Sequence, residues 1–150
     1  LEFSIRIINA GFKTVLIPNA FVYHKRRTDL IQFYKQINYF GRARINLTRF
    51  HPGHLRIFHL FPLIFIIGFI CVLVLGLLNQ NLGFWGVKWY IIYLSLIAAE
   101  ALLKLRSLKA ALYTPLTTMI QMSGYAVGFI HEYIQKLRGI DPNKKYIDLY

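Results

Sequence analysis

Leu63-Ile64-Phe65-Ile66-Ile67-Gly68-Phe69-Ile70-Cys71-Val72-Leu73-Val74-Leu75 decides the class of this chain. It lies within a longer run, residues 57–87, that contains no Asp, Glu, Lys or Arg. A helix made of these residues is apolar on every face, and such a helix belongs either deep in a large core or in lipid. A chain of 150 residues has little interior to hide it. The sequence therefore predicts a membrane span over 57–78, close to the ~20 apolar residues a crossing needs. Pro62 falls in its first turns, where a missing N–H costs least.

Working outward, Asn79-Gln80-Asn81-Leu82-Gly83 reads as a turn, and a second span is predicted over 85–103. Trp85, Trp89 and Tyr90 cluster at its start, as in an aromatic belt at a membrane interface, and Lys88 can snorkel to headgroups there. Glu100 precedes Lys104 by four residues, the favourable order for a helical ion pair. Two readings stay open for Glu100: a paired carboxylate at the interface, or a functional acid within the membrane. A third uncharged segment, 110–130, holds Thr114, Pro115, Thr117, Thr118, Gln121 and Ser123, and is expected either to span or to re-enter. The positive-inside rule favours a re-entrant or interfacial segment, because Lys104, Arg106 and Lys109 and then Lys136, Arg138, Lys144 and Lys145 would all stay on the cytoplasmic side.

The composition agrees. Hydrophobic residues are 56% and charged residues 16% of the chain, with 18 Lys+Arg against 6 Asp+Glu, a formal +12. The 12 Phe, 10 Tyr and 2 Trp exclude a disordered chain, and the single cysteine excludes a disulfide scaffold. The charge is concentrated ahead of the first span. Residues 1–56 carry ten basic and two acidic side chains, a net +8, so this third is expected in the cytoplasm. No nucleic-acid partner is expected, since no helix-turn-helix, RRM or zinc pattern is present.

Within that basic third, Leu1, Ile5 and Ile8 share a helical face and Gly11 suits the left-handed position after a helix. Lys13–Ile17 and Phe21–Tyr23, around Pro18-Asn19, read as two short strands. Thr28 is the expected N-cap, with Asp29 in the first turn, of a helix running to about Leu47. Leu30, Phe33, Tyr34, Ile37 and Phe40 form its apolar face. Lys35, Arg42, Arg44 and Arg49 are interspersed, as in helices lying on anionic lipid. His51-Pro52-Gly53-His54 ends it in a turn. His51 and His54 lack a third metal ligand nearby. Asn46-Leu47-Thr48 fits a glycosylation sequon but falls on the cytoplasmic side. Gly124 and Gly128 are four apart, as in close helix packing.

Three blocks in order carry a resemblance: Leu1-Glu2-Phe3-Ser4-Ile5-Arg6, then Ala10-Gly11-Phe12-Lys13, then Ile17-Pro18-Asn19-Ala20-Phe21-Val22-Tyr23-His24. They look like the end of the catalytic domain of membrane-bound family 2 glycosyltransferases. Residues 35–44, with His51-Pro52 after them, resemble the segment joining that domain to its membrane helices. The resemblance covers about the first 54 residues. It implies a GT-A fold, a nucleotide-sugar donor, a lipid-linked or saccharide acceptor, and a divalent metal, Mn²⁺ or Mg²⁺. It also implies an integral protein of a bacterial inner membrane.

By the resemblance, the general-base Asp of a Glu-Asp motif would stand just before Leu1, and the Asp-x-Asp metal motif further upstream. This chain would then be the C-terminal piece of a longer enzyme and inactive alone. His24 matches a position where the family often supplies a metal-ligating histidine; a strand-end surface histidine is the other reading. Arg26 and Arg27 would grip a diphosphate or lipid phosphate, or simply face solvent, while Gln36 and Arg42 fall in the acceptor-side block. Gln36 aligns with the first residue of the processive synthases' Gln-x-x-Arg-Trp motif, but Tyr39 and Phe40 replace its Arg and Trp. That departure favours one sugar added per acceptor. The alternative is a non-enzymatic membrane anchor that binds anionic lipid through the basic helix.

The expected architecture is therefore mainly α. An α/β remnant with two short strands (1–27) leads to an interfacial helix and connector (28–56). A membrane region (57–131) and a basic tail (132–150) follow.

Overall fold

The computed structural model describes residues 2–24 and 29–140. Five α-helices follow one another among them: α1 (Glu2–Asn9), α2 (Leu30–Phe50), α3 (Phe61–Leu78), α4 (Gln80–Leu105) and α5 (Leu108–Leu137). Two short 3-10 turns, Pro52–His54 and Ile57–Leu60, join α2 to α3.

α1 closes as its sequence dictates. The Phe12 N–H reaches the Ile7 carbonyl at 3.2 Å and the Gly11 N–H reaches Ile8 at 3.0 Å, with Gly11 at φ +83°. This is the Schellman closure that a residue without a Cβ allows.

The expected strands do not form. Ile17-Pro18-Asn19-Ala20 makes the predicted turn, with the Ala20 N–H 3.1 Å from the Ile17 carbonyl. On either side the chain is extended without a ladder, and no β-strand occurs among the described residues. The physical reason is pairing. A strand exists through its neighbour's hydrogen bonds and a covered face, whereas Leu16 is 91% and Tyr23 95% exposed. The β-branched pattern was present, but no partner strand lies beside it.

α2 starts one residue later than its expected cap. Asp29, not Thr28, is the N-cap, its carboxylate accepting from the Ile31 N–H at 2.9 Å. Thr28 lies outside the described residues.

α3 and α4 form an antiparallel hairpin whose turn is tighter than predicted. Only Asn79 leaves the helical path; Gln80–Gly83 is already the first turn of α4. Asn79 accomplishes this alone. Its N–H closes α3 on the Leu75 carbonyl at 2.7 Å, and its side-chain oxygen caps α4 at Asn81 and Leu82, at 3.0 and 3.3 Å. Gly83 therefore serves packing rather than turning: a Cβ there would collide with the backbone of Gly76.

The run from Ile57 to Leu78 and the helix Gln80–Leu105 are both long and apolar enough to cross a membrane. α3 has no buried residue and α4 only Gly83, and Ile64, Ile67, Ile70, Ile91 and Leu96 are exposed apolar side chains along them. Tyr90, expected in an interfacial belt, instead packs inside the hairpin. Its ring lies 5.0 Å from those of Phe65 and Phe69, and its hydroxyl donates to the Phe65 carbonyl at 2.9 Å.

α5 is one continuous helix of 30 residues, about 45 Å long. It runs through Pro115 and on into the segment expected to be a separate tail. Thr114 and Thr118 donate to the carbonyls of Ala110 and Thr114, at 2.7 and 2.9 Å, around the proline. α4 passes to α5 through Arg106, in the left-handed region at φ +49°, and Ser107, which caps Ala110 at 3.3 Å. The first part of α5 packs on the hairpin. Its second part lies parallel to α2, which makes the most extensive helix contact in the molecule.

Candidate functional site

The α2–α5 seam gathers three of the basic side chains that the sequence singled out, Arg42, Arg44 and Arg49. Ile37, Gly41, Ile45 and Thr48 are buried along α2. They recur at three- and four-residue spacing, one stripe of a helix. The stripe is rotated from the expected face, for Phe40 is half exposed while Gly41 is buried.

Close approach explains the glycine. A Cβ on Gly41 would press into the backbone of Tyr125 and Phe129, and one on Gly128 into the backbone of Asn38. Gly124 meets the Tyr34 ring, and its carbonyl accepts from the Asn38 amide at 3.2 Å. The Gly124/Gly128 pair thus does pack a helix tightly, with Gly41 as its counterpart on α2.

The polar part of the seam centres on Glu132, whose side chain is 5% exposed. Arg42 approaches one oxygen through Nε at 3.3 Å and Arg49 the other through Nη2 at 3.2 Å. Arg49 also donates from Nη1 to the Ile140 carbonyl at 3.0 Å. One turn further on, Lys136 donates to the Thr48 hydroxyl at 2.7 Å, which donates in turn to the Ile45 carbonyl. Buried charges persist where they are paired and hydrogen-bonded, and this network meets most of that requirement. Arg49 Nε and Asn46 Oδ1 are buried without a partner.

The structure places the basic side chains named from the sequence as follows. Arg49, expected on the membrane surface, turns inward with 14% of its side chain exposed. Arg42, expected at substrate, is engaged by Glu132 and keeps 27% exposure. Of the other surface residues, Lys35 is exposed and Arg44 half-buried against Tyr125. Burial raises the Tyr125 phenol above its ordinary value, against the pull of the Arg44 guanidinium. Gln36 sits half-buried beside Ile37.

On α4, Trp85 and Trp89 face outward, and the Lys88 ammonium lies 4.4 Å from the centre of the Trp85 ring. Lys88 is about 12 Å along the helix from its first residue. Its stem leans back toward the N-terminus, the direction that helical side chains take.

His24 ends the exposed extended segment, and Arg26 and Arg27 lie outside the described residues. Among the described residues no group of three or more His, Cys, Asp or Glu could hold a metal. His24 offers one imidazole donor among the described residues. Glu2, beside the expected general base, pairs with Arg6 at 2.9 Å and lies 3.5 Å from His51.

Glu132 is the site residue that sequence reasoning missed. A lone Glu in an apolar helix facing several arginines was the available signal, but its partners lie 83 and 90 residues away. No family model, curated protein or solved structure matches the chain.

Proposed function

We propose that this chain is the C-terminal, membrane-anchoring part of a glycosyltransferase. The parent enzyme would transfer a sugar from a nucleotide-sugar donor to a membrane-associated acceptor at the cytoplasmic face of a bacterial inner membrane. The observation that carries this reading is the order of sequence blocks in residues 1–54 ahead of an apolar helical hairpin.

The architecture supports it in kind. α2 is braced against α5, and α5 against the hairpin. A catalytic unit preceding α1 would therefore be held at the membrane by a fixed platform, which raises the effective concentration of a lipid-linked acceptor. In this reading the catalytic unit covers the exposed apolar segment 12–24 and supplies the general base, the donor site and any carboxylates that would share a metal with His24.

The non-enzymatic alternative, anchorage through the basic helix, is weakened by one observation. Arg42 and Arg49 are already paired to Glu132, which leaves fewer free cations on α2 for anionic lipid.

The test is the sequence encoded ahead of Leu1. Glu-Asp directly before it, and an Asp-x-Asp within about 250 residues upstream, a length set by usual domain sizes, are expected. If both are absent, the enzyme reading is abandoned. With them present, membranes containing the full-length protein should transfer sugar from a nucleotide-sugar panel.

A further inference from the structure

A cavity of about 420 Å³ opens between α4 and α5, within the range of small-molecule and lipid-chain sites. Its two ends differ in chemistry. The helices run antiparallel from the short Arg106-Ser107 link, so the end near the link is lined by Lys104, Leu105 and Thr114 and the far end by Tyr93, Ile97, Gln121 and Met122. From Lys104 to Tyr93 the groove extends about 16 Å along α4. Glu100 and Lys104 pair across one turn at the polar end, with side chains 58% and 73% exposed. The Thr114 and Thr118 hydroxyl hydrogens are given to their own helix, so their oxygens are left as acceptors.

The end of the groove near the link thus offers one cation, one anion and acceptor oxygens, and the rest is a mainly apolar trough in which Gln121 is the one amide. We propose that it holds a single phospholipid with a zwitterionic headgroup, one acyl chain lying along Tyr93, Ile97 and Met122. Lys104 meets the phosphate and Glu100 the headgroup ammonium, so the Glu–Lys pair exchanges partners without leaving a charge unmatched. A headgroup carrying only negative charge would satisfy Lys104 but set its phosphate against Glu100, a like-charge contact that selects against it. The site rests on the membrane reading of α3 and α4, but not on the transferase reading.

The test uses the 150-residue chain expressed in membranes, purified in mild detergent and exchanged with equal parts phosphatidylethanolamine and phosphatidylglycerol, with native mass spectrometry as the readout. One phosphatidylethanolamine per chain is expected, preferred about fivefold, the ratio that ~1 kcal/mol confers. Glu100→Gln and Lys104→Gln should each remove that preference. Met122→Trp, or Ala101→Leu if the first fails to fold, should fill the trough and abolish retention while helical circular dichroism is kept. Equal or stronger retention of phosphatidylglycerol overturns the proposal, as does retention unchanged in the filled variant. Alkaline carbonate extraction separates the two premises. Release of the chain from membranes overturns the membrane reading and the site together; a membrane-retained chain without bound lipid overturns the site alone.

Discussion

Glu132 on α5 accepts from Arg49 on α2 at 3.2 Å, across 83 residues of chain, with the two side chains only 5% and 14% exposed. This contact and its companion to Arg42 fix how the basic helix sits on the rest of the molecule. Removing the carboxylate would leave two guanidinium groups facing each other in a partly dry seam. Glu132→Gln should therefore destabilise the fold by about 3 kcal/mol, the lower end of the range for breaking a buried pair on one side. Replacing Glu132, Arg42 and Arg49 together by Leu or Met should recover most of that loss. Urea unfolding followed by circular dichroism checks both; a triple variant no better than Glu132→Gln would contradict the account.

The glycines should sort by what surrounds them. Gly41→Ala and Gly128→Ala push a methyl into backbone on the facing helix and should each cost about 1–3 kcal/mol or more, as overpacked sites do. Gly53, with open space around it, should accept Ala within about 0.5 kcal/mol. Equal losses at the three positions in the same unfolding measurement would remove the close-approach argument.

Tyr90 contributes one hydrogen bond inside the hairpin. Tyr90→Phe keeps the ring contacts with Phe65 and Phe69 and loses only the bond to the Phe65 carbonyl. The expected cost is small, about 0.6 kcal/mol, as for other polar contacts between membrane helices. A double-mutant cycle with Phe69→Leu should show the ring contact intact in the Phe variant.

Charge distribution predicts orientation. With Cys71 replaced by Ala, a cysteine at Asn81 should react with an impermeant maleimide added outside sealed cells, and one at Lys109 should not. The reverse pattern would invert the topology and place α2 outside the cytoplasm.

Residues 1–150 on their own should transfer no sugar, because the proposed general base and donor site precede them. Purified chain incubated with radiolabelled nucleotide sugars and lipid extract should yield no labelled product above background. Measurable transfer would show that the catalytic group lies within this chain, and the assignment of the base would have to change.

The sequence reading succeeded where the signal was local. Gly11 announced the end of α1, and the uncharged run announced α3, because capping and hydropathy act over one or a few turns. It failed where an element needed a partner. Lys13–Ile17 and Phe21–Tyr23 have strand composition, yet composition supplies no neighbouring ladder. Asn79-Gln80-Asn81-Leu82-Gly83 looked like a five-residue turn, although one asparagine can end one helix and cap the next. Of the candidate site, Arg42, Arg44 and Arg49 were legible as a basic helix. The direction in which Arg42 and Arg49 point was not, since that depends on Glu132.

What the residues determined alone is the class of this chain: an apolar pair of helices, a strongly basic stretch before them, and the close of α1 at Gly11. Those outcomes follow from transfer free energy and backbone hydrogen bonding, which read neighbouring residues. Tertiary structure alone decided which glycines touch backbone, that α5 braces both α2 and the hairpin, and that two arginines face a buried carboxylate. Such pairings depend on distances between residues as many as 90 positions apart, which only the folded chain sets.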